Sequence, residues 1–451
     1  MKKVIGIVLA ALFLTTGIAA ATDFTLSGSY YARGQYYDNV GGLGVGAGAA
    51  TNEQVFSATA PTDTATVTYT PIAAGWYNKN TAATAADRDG AESYGVWDHE
   101  LSVDATWQID DSTKVFARFE MRDENWGAMG GKSENSNVGS GNDDNIVVER
   151  VWGSHKFAAT GGTLTVGLMG GGAWGTSFFN NAYDAYRVKY VQPSAIGTLI
   201  AIYQKALERG SSANADDGDV DVDLYMAALV TKAGPVTLMP LVVFVDHEIY
   251  DANTTVFQLA ATGDFGAVSF EAEADYQTYD SDYGAQSDAD VYGFYAKGSF
   301  NAGAATISLL GAYGSYDDDE GVAFCFGDDF EAGGALIIGD DMELVPNLAG
   351  GGNDAGDLGA GYLVAALVSF AATDELTIDG YIGYWAADSD YAEATWGGAD
   401  DADVVEISGG VAYKITANLT YSIRAGWADL DIDGYDLEDS INAYHKLAFS
   451  F

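Results

Sequence analysis

Phe24-Thr25-Leu26-Ser27-Gly28-Ser29-Tyr30-Tyr31-Ala32-Arg33-Gly34-Gln35-Tyr36 alternates along its length: even positions are apolar or glycine, odd ones Thr, Ser, Ser, Tyr, Arg and Gln. Successive side chains of an extended strand point to opposite faces, so this stretch reads as a strand with one apolar and one polar face. The same pattern recurs downstream. Val115, Ala117, Phe119 and Met121 interleave with Lys114, Arg118, Glu120 and Arg122. Val268, Phe270, Ala272, Ala274 and Tyr276 interleave with Ser269, Glu271, Glu273, Asp275 and Gln277. Leu419, Tyr421, Ile423, Ala425 and Trp427 interleave with Thr420, Ser422 and Arg424.

Strands are expected near 24–37, 94–108, 113–125, 146–157, 162–170, 183–191, 197–207, 220–232 and 234–247. The second half continues at 254–264, 266–279, 289–300, 303–316, 361–371, 374–387, 403–415, 417–429 and 442–451. A soluble β-sandwich also alternates, but its strands average about 5–6 residues, and many of these run to roughly 10–14. The polar faces carry opposed charges, not only Ser and Thr. Connections also alternate in length. Those after even-numbered strands are short, such as Ile109 to Ser112 and Asn301-Ala302, whereas those after odd-numbered strands are long and polar, up to 38–93 and 317–360. The expectation is an all-β, antiparallel up-and-down barrel of about 16–18 strands, with short turns at one end and long loops at the other. Gly44-Val45-Gly46-Ala47-Gly48 lacks the strand-turn-helix setting and the Gly-Lys-Ser/Thr ending of a phosphate-binding loop, and reads as loop.

The first residues carry Lys2 and Lys3, an apolar run from Val4 to Leu14 and then Ala19-Ala20-Ala21. That order fits a cleaved secretory signal over 1–21, leaving a mature barrel of 22–451. No later segment has the roughly 18 apolar residues that a transmembrane helix needs. Yet 48% of the residues are hydrophobic, with 28 Tyr, 20 Phe and 56 Gly, and the single Cys325 cannot form an intramolecular disulfide. A closed sheet reconciles these features, because in lipid every backbone N–H and C=O must be paired internally and a barrel has no edge. Tyr36, Tyr37, Trp97, Trp107, Tyr384, Trp385 and Trp427 stand where interfacial girdles form. The chain holds 65 acidic and 20 basic residues; losing Lys2 and Lys3 with the signal takes the formal net charge from -45 to -47. Such a surface repels nucleic acid and suits cations.

Ala443-Tyr444-His445-Lys446-Leu447-Ala448-Phe449-Ser450-Phe451 ends on an aromatic residue preceded by apolar ones at every second position. It resembles the C-terminal strand of bacterial outer-membrane proteins. Lys114 to Glu120 and Val148 to Ser154 are similar in style to strands of general-diffusion porins. The resemblance implies a multi-pass barrel in the outer membrane, with lipid and lipopolysaccharide around it. It also implies a water-filled channel for passive diffusion of ions and small hydrophilic solutes, and a homotrimer. A sheath for an electron-transfer or secretion partner, and a structural or adhesive surface protein, are alternatives from other classes.

With the apolar set facing lipid, the polar set lines the interior. Basic candidates are Arg33, Lys114, Arg118, Arg122, Arg150, Arg187 and Lys189; acidic ones are Asp98, Glu100, Glu120, Glu271, Glu273 and Asp275, joined by Asp104, Asp221 and Asp223. Partial segregation of the signs predicts a transverse field across the pore and, with the negative total, weak cation selectivity. The third long loop, Gly170 to Ala182 with Trp174, Phe178 and Phe179, constricts the pore in many porins but is short here, and 38–93 or 317–360 is better sized to do so. Asp429-Leu430-Asp431-Ile432-Asp433-Gly434 fits the start of a calcium loop through Asp429, Asp431 and Asp433, although Ser440 stands where the twelfth-position Glu belongs. The segments Asp216-Asp217-Gly218-Asp219 and Asp317-Asp318-Asp319-Glu320 are weaker candidates. His99, His155, His247 and His445 are scattered, and neither a zinc-protease motif nor a Gly-x-Ser-x-Gly elbow occurs, so no enzymatic activity is expected.

Overall fold

The computed structural model describes residues 23–38, 94–125, 146–171, 174–180, 183–207, 221–247, 252–281, 288–338, 358–395, 399–434 and 439–451. The expected signal over 1–21, the stretch around Gly44 and the acidic segment at Asp216 lie outside them.

Alternation produces strands throughout. The first half comprises β1 (Asp23–Asp38), β2 (Tyr94–Gln108), β3 (Thr113–Asn125), β4 (Val147–Lys156), β5 (Thr163–Met169), β6 (Ala185–Ser194), β7 (Gly197–Leu207), β8 (Val222–Ala233), β9 (Val236–His247) and β10 (Ala252–Asp264). Next come β11 (Val268–Ser281), β12 (Ala289–Ala302), β13 (Ala305–Gly314), and the short β14 (Tyr316–Asp317) and β15 (Val322–Ala323). The last are β16 (Gly361–Ala371), β17 (Leu376–Ala387), β18 (Ala402–Thr416), β19 (Leu419–Ile432) and β20 (Ser440–Ser450). All except β14 and β15 form one 18-stranded sheet, in which each strand pairs antiparallel with its neighbours in sequence.

The sheet closes on itself. β20 pairs with β1 from Ser29 opposite Ser450 to Asp38 opposite Ile441. Closure extends one residue past β20, where Gly28 and Phe451 exchange both backbone hydrogen bonds, at 2.9 and 3.0 Å. A side chain at Gly28 has no room: its Cβ would lie 2.3 Å from the Ser102 carbonyl and 2.7 Å from the Phe451 ring.

The apolar set faces outward. Leu26, Val166, Phe294, Leu309, Val364 and Ile407 are exposed on alternate positions around the barrel. An exposed band of this kind is stable in hydrocarbon and not in water. No described helix is long and apolar enough to cross a membrane; the crossings are made by strands.

Turn chemistry trims the expected strands. The β2–β3 turn is held by Asp110, whose Oδ1 accepts from Ser112 N and Oγ at 2.8 and 2.7 Å. The strand expected from 234 begins instead at Val236, because Gly234 takes φ +63 and Pro235 has no N–H to donate. The strand expected over 303–316 ends at Gly314, after which the chain leaves the wall and Tyr316–Asp317 pairs with Val322–Ala323.

Candidate functional site: a charged wall facing two inward loops

Two of the long loops turn into the barrel and meet there. Thr176 N and Oγ1 donate to Glu273 Oε2 at 2.7 and 2.8 Å, Phe179 N donates to Oε1 at 3.2 Å, and Gln258 Nε2 donates to Oε1 at 2.6 Å. Three of these donors come from the 174–180 segment and fix it against β11, while Gln258 of β10 steadies the carboxylate from the wall. The segment after β13 is pinned in the same way on the far side. Glu406 of β18, fully buried, accepts from Leu336 N, Ile337 N and Ile338 N at 2.6, 2.9 and 2.8 Å. Tyr381 OH donates to Ala332 O at 3.0 Å, and Asn442 Nδ2 to Leu336 O at 3.2 Å.

The two loops then bind each other. Gly327 N donates to Phe178 O at 2.8 Å and Asp329 N to Asn180 O at 3.0 Å, while the Asn180 amide donates to the Asp329 carboxylate. Phe178 packs on Tyr295, Phe324, Phe326 and Phe330 with ring centroids 5.1 to 5.6 Å apart. This aromatic cluster continues through Ile337, Ile338, Leu358, Leu363, Trp385 and Ile432. The hydrophobic core therefore lies inside the barrel, against the β10–β13 and β16–β19 wall.

The opposite wall, β1 to β8, is charged. Arg33 pairs with Asp98 at 2.5 Å. Arg118 pairs with Asp104 at 2.7 Å and reaches Glu149 at 3.8 Å. Arg150 takes Asp184 at 2.7 Å and Glu149 at 2.9 Å. Arg187, almost fully buried, donates to Gln204 Oε1 at 2.6 Å and to the Gly170 and Gly171 carbonyls at 3.0 and 2.8 Å, anchoring the start of the first inward loop. Lys205 pairs with Asp221 and, at 3.2 Å, Asp223. Glu100 accepts from Ser102 Oγ, Glu120 stands opposite Ser102 on β3, and the backbone of Arg122 continues β3 while its side chain lies outside the described residues. Lys114 Nζ sits over the Trp152 ring at 5.3 Å, and Lys189 lies on β6 between Thr165 and Ile202.

These positions alter the expected transverse field. Among the described side chains, Arg33, Arg118 and Arg150 each have a carboxylate partner on the same wall, so these charges are paired locally. On the far side, Glu273 and Asp275 are each only 3% exposed beneath the loops, and among the described residues no donor reaches either Asp275 oxygen. Glu271 accepts from Tyr295 OH at 2.5 Å and pairs with Lys297 at 3.2 Å. The loop expected to be too short to constrict is inside the barrel, together with the first part of the 317–360 loop, so both contribute. Asp429 and Asp431 fall on β19 and not in a loop, and Asp433 follows it. An extended strand does not wrap a cation, and among the described residues no three His, Cys, Asp or Glu side chains group around a metal-sized space.

Comparison with solved structures returns the same architecture. OpdO (OccK3) of Pseudomonas aeruginosa aligns with a TM-score of 0.54 at 13% identity, covering 96% of this chain and 98% of that one. The fold is that of an outer-membrane porin. OccAB3 of Acinetobacter baumannii aligns at 0.53 and 10% identity over 94% of this chain and 99% of its own. OccK2 (OpdF) of P. aeruginosa, in complex with glucuronate, aligns at 0.52 and 12% over 94% and 98%. No family model and no curated protein matches the sequence. The closed 18-stranded barrel with its outward apolar band is the architecture of outer-membrane β-barrels.

Glu406 and the phenylalanines at 324, 326 and 330 are the interior residues that sequence reading missed. The one available signal for Glu406 is a carboxylate at an inward position within the apolar stretch Val404-Val405-Glu406-Ile407.

Proposed function

We propose that this porin barrel is an open channel for passive diffusion of ions and small hydrophilic solutes, weakly selective for cations. The observation that carries it is the asymmetric interior: an aromatic loop body fills one side and leaves a charged, hydrogen-bonding wall on the other. A water path beside Arg33, Asp98, Glu100, Arg118, Arg150 and Glu149 favours hydrated solutes, and the excess of carboxylates over the whole chain favours cations. Two of the chain's own loops inside the barrel argue against a sheath for a partner protein. A homotrimer and contact with lipopolysaccharide belong to the same reading. Divalent cations would act there by diffuse screening of Asp403 and Asp431, which face each other across β18 and β19.

The test is conductance of refolded residues 22–451 in a planar bilayer across a KCl gradient. Ohmic steps with a cation-side reversal potential are expected. Silence from a correctly folded, heat-modifiable barrel would remove the channel reading, and an anion-side potential would remove the selectivity.

A further inference from the structure

Among the described residues, the cations of the charged wall divide into two kinds. Most are engaged: Arg33, Arg118, Arg150 and Lys205 by carboxylates, Arg187 by carbonyls. Lys114 and Lys189 have no carboxylate within ion-pair distance. The register places both lysines in one row. Lys114 of β3 stands opposite Ser154 of β4, Ser154 opposite Thr165 of β5, and Thr165 opposite Lys189 of β6. The two hydroxyls touch at 3.4 Å. Neighbouring strands lie about 4.8 Å apart, so the two lysine backbones are roughly 14 Å apart, close enough for both side chains to reach an anion over the hydroxyls.

One step along the same strands, about 6.7 Å away, Phe116 and Trp152 stand opposite each other and stack at 5.0 Å with 19° between the rings. They share the inward face with Arg118 and Arg150, so they break the polar pattern of that face. Their outward neighbours Val115 and Val151 already serve the lipid side.

Resting on the channel reading above, we infer that Lys114, Ser154, Thr165 and Lys189, with the Phe116–Trp152 stack, form a solute subsite for a phosphate monoester carried on a flat ring. The chemistry selects the anion. A planar carboxylate is best held by the fork of an arginine, and Arg33, Arg118, Arg150 and Arg187 are already engaged. Two lysines act as point charges that suit a compact dianion, and two hydroxyls can donate to its remaining oxygens. The aromatic stack supplies a face for the ring. Lys114 over Trp152 is an exposed cation–π contact worth only about 0.5–1 kcal/mol, which a dianion outcompetes.

The test uses the refolded full barrel, with adenosine 5′-monophosphate, adenosine, inorganic phosphate and glucuronate as probes. Block of KCl current and equilibrium dialysis are read together, so a silent channel still reports binding and only the channel reading fails with it. Adenosine 5′-monophosphate is expected to bind at least fivefold more tightly than adenosine or phosphate. The double variant Lys114→Gln/Lys189→Gln should bring it down to the adenosine level, and Trp152→Leu to the phosphate level. Affinity unchanged in both variants would overturn the subsite. Glucuronate binding as tightly as the monophosphate would overturn the choice of anion.

Discussion

At the scale of single residues, the interior is organised by carboxylates that accept backbone N–H groups. Among the described residues no cation pairs with Glu406; three successive amides of the loop satisfy it, which makes it a fixed pin and not a pore charge. Hydrogen bonds to a charged group are worth about 1.5–3 kcal/mol each. Glu406→Gln keeps the shape but removes the charge and one acceptor, and should loosen the 335–338 segment by about 2–3 kcal/mol. Limited proteolysis of the refolded variant should then cut that segment faster, with global heat modification unchanged. Sequence pattern alone could not distinguish this glutamate from a pore-lining one. An inward carboxylate looks the same whether it meets water or a loop folded from some 70 residues upstream.

At the scale of elements, nearly every strand was legible, for a physical reason. Lipid outside and water or polar contacts inside impose a period of two on each crossing, and a slip of one residue would turn every side chain to the wrong face. Where boundaries moved, the turn residue decided it, as at Gly234-Pro235. The closing strand is held to β1 at the Gly28–Phe451 exchange, where the facing backbone leaves no space for a Cβ. Gly28→Val should cost roughly 1–3 kcal/mol through overcrowding. The expected result is a lower yield of heat-modifiable barrel on refolding, against a wild-type yield for Gly153→Ala, a position on the same outward face with nothing within 4 Å.

For the whole molecule, what remained illegible is the packing of loops. Phe178, Phe324, Phe326 and Phe330 sit in stretches with no periodicity, and their partners are distant in sequence: Asn180 and Asp329, which join the loops, are 149 positions apart. Two loops that each need the other should behave as one unit. Phe178→Ala and Phe326→Ala, each a cavity of about 3–5 kcal/mol in a packed site, should be strongly non-additive when combined. Either one should raise unit conductance by freeing the aromatic body. Additive effects on conductance would mean that the loops narrow the pore independently.

That mutual dependence also orders the events of assembly. The wall is built from neighbours in sequence, and only the β1–β20 seam joins the two ends. The aromatic body needs contacts across half the chain, which are slow to form because loop-closure entropy opposes them until both loops are present. The expected order is that neighbouring wall strands pair before the interior is seated, and pulsed amide exchange during refolding would check it. A newly inserted barrel would pass through a leaky stage, wider than its finished form, and the native permeability is set by the last step of folding.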